Sequence, residues 1–182
     1  MTELKKTILI TSFFLFVLTA VFALIYAVRQ NALYLTLAIT FGTTFYHFAM
    51  RLFVGKITKK KFNFNTVWFR EKSFEKKLYR LLNVKKWKDK MPSYNPATYI
   101  TKKVNLSEIV NTMCRNEVIH ETIVLLSFVP ILFSKLFNAA AVFTFTSVFA
   151  ACFDLIFVIM QRYNRPRVIK ILERQNKIKN RK

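Results

Sequence analysis

Residues Ile8 to Val28 read ILITSFFLFVLTAVFALIYAV, an apolar run almost without interruption. As a helix such a run crosses a hydrocarbon layer of about 30 Å, and no water-soluble fold buries it cheaply. A signal peptide has a shorter apolar core and a small-residue cleavage site, so the run reads as a retained span. Arg29-Gln30-Asn31 then turns the chain straight back into a second apolar stretch, Ala32 to Val54. Two more follow, about Val118 to Phe137, which contains Pro130, and Ala139 to Met160. The expected fold is all-α: an integral membrane protein of one domain over residues 1–182. Its four transmembrane helices lie at about 8–28, 32–54, 118–137 and 139–160.

Charge is kept apart from these runs. The chain is 53% hydrophobic and yet carries a formal net charge of +21. That combination is contradictory for one soluble core and natural for a membrane protein with segregated blocks. Of the 30 Lys and Arg, only Arg29 and Lys135 lie near the short turns. The positive-inside rule then puts both ends of the chain in the cytoplasm of a multi-pass protein of the cell membrane. Residues 55–117 form a basic cytoplasmic interfacial segment in which Trp68, Phe69, Phe74, Leu78, Tyr79, Leu81, Leu82 and Trp87 alternate with Lys and Arg. Phe74, Leu78 and Leu81 to Leu82 follow helical spacing, the pattern of an amphipathic helix lying on a membrane. Pro92, Asn95 and Pro96 break helical structure, and Ser93 to Thr101 reads as a loop. Residues 161–182 form a basic tail. Anionic lipid headgroups are the nearer polyanion for both basic stretches, and nucleic acid the remoter one.

Several classes of chemistry drop out. With two glycines, Gly42 and Gly55, no phosphate loop or dinucleotide fingerprint can be built. Cys114 and Cys152 stand in different blocks and suggest neither a disulfide nor a metal pair. No G-x-S-x-G or H-E-x-x-H motif occurs, and no His is followed five positions on by Asp. No metal or other cofactor is expected.

The polar residues that remain gather at span ends. Glu117, His120 and Glu121 mark the seam where a polar helix passes into an apolar one. At spacings of three and four, Glu117 shares a face with both of the others. A carboxylate beside a histidine raises its basicity and fixes its tautomer, as a general base requires. His120 is therefore the candidate base and Glu117 or Glu121 its orienter. His47 and Arg51, four apart near the far end of the second span, line a polar cavity or serve as interfacial residues. Asp154 in the fourth span needs a partner in the bundle, with His47, Arg51 or Arg162 available. His47, Arg51 and Asp154 are candidate substrate-binding residues. The arginines of Gln161-Arg162-Tyr163-Asn164-Arg165-Pro166-Arg167 offer planar forks of donors for an anion or an oxyanion. Such a set, at a surface reached by water-soluble donors and membrane-dissolved acceptors, suits acyl or group transfer to a hydroxyl.

Lys86-Trp87-Lys88-Asp89-Lys90-Met91-Pro92, the Glu117-x-x-His120 seam and the Gln161 to Arg167 block, in a small four-span layout, resemble the glycosyl-diaponeurosporenoate acyltransferase family. Enzymes of that family attach a fatty acyl group to the sugar of a glycosylated carotenoid. The resemblance implies Trp87, Lys88, Pro92, Glu117, His120, Asn164, Arg165 and Pro166 as the active-site set; Glu121 lies outside its pattern. It implies an acyl donor, acyl-CoA or acyl carrier protein, and a lipid or glycolipid acceptor. Another lipid-modifying transferase, such as a methyltransferase, and a non-catalytic scaffold binding anionic lipid or a protein partner are the alternatives. The oligomeric state is not legible.

Overall fold

The computed structural model describes residues 3–90 and 105–180, and every described element is helical. Helix α1 spans Glu3–Arg29 and α2 Ala32–Ile57. Short helices α3 (Glu75–Leu81) and α4 (Val84–Trp87) follow, then α5 (Leu106–Leu126) and α6 (Ala140–Lys179). Single 3-10 turns cover Val67–Phe69, Lys88–Lys90 and Val129–Phe133. Pro92 and the Ser93 to Thr101 loop lie outside the described residues.

The turn between α1 and α2 is built from two residues. Gln30 takes a positive φ of 51°, and Asn31 caps α2 by accepting a hydrogen bond from the Leu33 N–H at 2.9 Å. Phe22 stacks on Phe41 with ring centroids 5.5 Å apart, and Phe16 packs on Phe45 at 5.4 Å. At Gly42 an added Cβ would stand 3.3 Å from the Thr19 methyl, so the small residue lets the two helices close up.

Three described helices are long and apolar enough to cross a membrane, not the expected four: α1, α5 with its following 3-10 turn, and α6. The missing one is α2, where Thr36, Thr40, Thr43, Thr44, Tyr46 and His47 interrupt the apolar residues. Its threonines turn inward on the helix, as when the Thr40 and Thr44 hydroxyls donate to carbonyls four residues back. The third apolar stretch also differs. Its helix starts at Leu106, so the polar helix read ahead of the Glu117 seam is there, but it ends at Leu126 short of Phe137, and Pro130 lies in the 3-10 turn that follows. Instead of ending at Met160, α6 continues through Pro166 to Lys179 and makes the basic tail helical.

Two compact units divide the chain. Residues 1–58 and 121–155 form the first; residues 59–120 and 156–182 form the second. In the first, the α1–α2 pair is joined by the end of α5 and the start of α6, and the Tyr46 hydroxyl donates to the Leu126 carbonyl at 2.9 Å. The second has a small core of Phe69, Val110 and Cys114, with Phe62, Phe64, Val118, Val168 and Ile169 packed on it.

Candidate functional site

In the second unit, α5 and the later part of α6 bring an acid and two bases together in a buried position. Glu117 is fully buried. One of its oxygens accepts from Arg162 Nη1 at 2.5 Å, and the other accepts from Arg165 Nη1. Arg162 also reaches Glu75 on α3, with Nε 2.8 Å from Oε1. Two carboxylates thus face two guanidiniums, and the charges balance. Buried ions are tolerated only under such pairing.

The same guanidiniums reach the irregular segment before α3. Arg162 donates to the carbonyls of Trp68 at 3.2 Å and Arg70 at 3.3 Å, and Arg165 to that of Phe69 at 2.6 Å. These carbonyls belong to the turn Val67–Phe69 and the residue after it, where an α-helix's repeating hydrogen bonds are lacking. The Arg165 guanidinium also lies over the Phe69 ring, 5.0 Å from its centroid. Pro166 has no N–H to offer the Arg162 carbonyl, one turn back in α6.

Glu75 extends the network to Tyr79, whose hydroxyl donates to Oε2 at 2.8 Å. Both side chains are buried on α3. Burial, reinforced by the Glu75 carboxylate, raises the Tyr79 hydroxyl well above the ordinary tyrosine range, so it stays protonated as a donor. Its ring meets Tyr163 edge-on at 5.2 Å.

His120 sits one turn beyond Glu117 on α5, half-buried, with its ring stacked on Phe157 of α6. The centroids are 4.7 Å apart and the planes 11° from parallel. A face-on stack fixes the plane of the imidazole while engaging neither nitrogen, since both lie in the ring edge.

In this unit the structure joins Glu117 and Arg165 directly and holds His120 on the same helix. Trp87 ends α4, with Nε1 donating to the Leu82 carbonyl at 2.9 Å, and Lys88 follows, half-buried. Asn164 and Pro166 are half-buried on α6 beside Arg165. Pro92 lies outside the described residues. Glu75 and Tyr79 are the members that sequence reading missed; the sole local signal was their spacing of four. The apolar face read from Phe74, Leu81 and Leu82 stays exposed, which suits a helix lying on a membrane.

His47, Arg51, Asp154 and Glu121 belong to the first unit. Arg51 pairs with Asp154, one of the arrangements expected from sequence, and its guanidinium lies over the rings of Phe48 at 5.9 Å and Phe153 at 5.5 Å. His47 is buried, and among the described residues neither ring nitrogen has a hydrogen-bond partner; nor does Arg51 Nε. A buried polar atom left so costs about 1–3 kcal/mol. Glu121 is half-buried. Among the described residues no three His, Cys, Asp or Glu side chains are grouped to hold a metal ion.

No curated protein and no solved structure is significantly similar to the chain. A family model does match, over residues 65–174, a stretch that holds the Glu117 network, Trp87, Lys88 and His120. Because that match takes in more than half of the chain, the protein belongs to the CrtO family, glycosyl-4,4'-diaponeurosporenoate acyltransferase.

Proposed function

We propose that the protein is a multi-pass acyltransferase of the cell membrane. It moves a fatty acyl group from a thioester, acyl-CoA or acyl carrier protein, to a hydroxyl of a glycolipid or other lipid. The reaction takes place at the cytoplasmic face, where both ends of the chain lie. The observation that carries this reading is the family match, whose matched residues include His120 and the buried acid beside it in sequence, Glu117.

His120 is the general base. Its imidazole takes the proton of the acceptor hydroxyl as the oxygen attacks the thioester carbonyl; the tetrahedral intermediate then collapses, the carbon–sulfur bond breaks, and the imidazolium returns the proton to the departing thiolate. Such a base contributes typically 10²–10⁴-fold to the rate. The stack on Phe157 supports this role by fixing the ring plane. Glu117, with both oxygens taken up by Arg162 and Arg165, acts by position: it holds the middle of α5 against α6, whose arginines also grip the 67–70 segment. Glu121 follows His120 directly on α5, where neighbouring side chains point about 100° apart, so no orienting contact with the imidazole is assigned to it. Trp87, Lys88, Asn164 and Pro166, with Pro92, are assigned to substrate binding, and anionic lipid to the basic surface.

Membranes holding the protein, given labelled acyl-CoA or acyl carrier protein and a total lipid extract, test the reading. It predicts a new labelled lipid whose acyl group is released by mild base as an ester. No product with either donor from folded protein contradicts it.

A further inference from the structure

The first unit carries a second set of polar atoms, separate from the Glu117 network and without an assigned ligand group. His47 is only 4% exposed, and each of its ring nitrogens lacks a hydrogen-bond partner among the described residues. One turn along α2, Arg51 Nε is buried in the same condition, although the other end of that guanidinium pairs with Asp154 and donates to the His47 carbonyl at 2.9 Å. Native structures rarely leave buried polar atoms unmatched; water, an ion or a ligand group usually answers them.

The chemistry of the missing partner can be deduced. The Arg51–Asp154 pair is already neutral, so an anion would bring an uncompensated charge into an apolar unit. The Arg51 cation disfavours a metal ion, and no three metal-binding side chains are grouped among the described residues. A neutral imidazole has one donor and one acceptor, and Arg51 Nε adds a donor. A hydroxyl answers Arg51 Nε and one of the two imidazole nitrogens, since it donates one hydrogen bond and accepts two, while the other ring nitrogen points away from it. A route from the surface is also present: Phe153, whose ring lies against the Arg51 guanidinium, is 43% exposed, and Phe149 one turn away is 68% exposed. An exposed aromatic strip beside a buried polar group suits a ligand with a hydrocarbon chain and a single polar end.

We propose that His47 and the Arg51 Nε of the first unit bind the hydroxyl group of a neutral, membrane-dissolved lipid. The site stands apart from the assignment of His120 and needs no acyl donor.

The full chain in phosphatidylcholine vesicles, whose lipids carry no hydroxyl, is photolabelled with a diazirine-bearing hexadecanol. The methyl ether and the plain hydrocarbon of the same chain serve as controls. The alcohol should label α2 or the start of α6 at least tenfold more than either control, with free hexadecanol as competitor. The preference should vanish in His47→Phe and persist in His47→Gln, which keeps a donor and an acceptor. Equal labelling by the three probes in the unaltered protein overturns the proposal and leaves water as the partner, whether or not the variants fold. A preference that survives His47→Phe in folded protein overturns it as well. Acyl transfer is not measured, so failure here leaves the catalytic reading untouched, and the converse holds.

Discussion

Each unit buries an arginine against a carboxylate, but the two do so under different terms. In the first, Arg51 and Asp154 form a single pair in apolar helical surroundings, with His47 and Arg51 Nε unmatched among the described residues. In the second, Glu75 and Glu117 share two guanidiniums that also serve three backbone carbonyls. The first pair fastens helices whose own backbones are satisfied. The second network replaces the hydrogen bonds that an irregular segment cannot make for itself, and so sets a backbone as well as a charge balance.

The largest expected effect follows from that difference. Glu117→Leu leaves two guanidiniums without their common carboxylate, and thermal unfolding in detergent should show a loss of about 3–5 kcal/mol. Asp154→Leu should cost less, toward about 3 kcal/mol, because Arg51 is 16% exposed and its long side chain can turn to the surface. The sharper contrast is rescue. Arg51→Met with Asp154→Leu should restore most of the stability, whereas Glu117→Leu with Arg165→Met should not, since the Phe69 carbonyl then loses its donor. Equal rescue in both units would erase the distinction drawn between them.

Tyr79→Phe removes one hydrogen bond to Glu75 and keeps the ring against Tyr163, and should cost about 1 kcal/mol in the same assay. Tyr79 also gives the second unit a pH limit. Its folded pKa is raised, so its contribution is fully present below the unfolded value of about 10 and is lost as pH rises above that. The wild type should therefore lose stability above about pH 10 by a margin that Tyr79→Phe lacks. Leu81→Ala is the smallest change: at 78% exposure it should alter stability by less than about 0.5 kcal/mol in the same assay.

How much of this was legible in the sequence depends on the range of the interaction. Apolar runs declared helices because the signal is continuous and local, and Glu117 stood out because it breaks such a pattern. The span count failed at α2, where polar side chains hydrogen-bonded within the helix dilute the run. Glu75 was invisible: it sits among Lys72, Lys76 and Lys77 like any surface acid, and its partner Arg162 lies 87 residues away. The 67–70 carbonyls have no side-chain signature at all, and the basic residues after Met160 read as a tail although α6 runs on through them.

The central claim is that the matched stretch houses acyl transfer with His120 as its base. It is tested most directly by the rate of labelled lipid formation in membranes containing wild type or His120→Ala, at equal amounts of folded protein. The account predicts a fall of at least about 10²-fold, with the unfolding temperature unchanged within a few degrees. Full turnover by His120→Ala would contradict it.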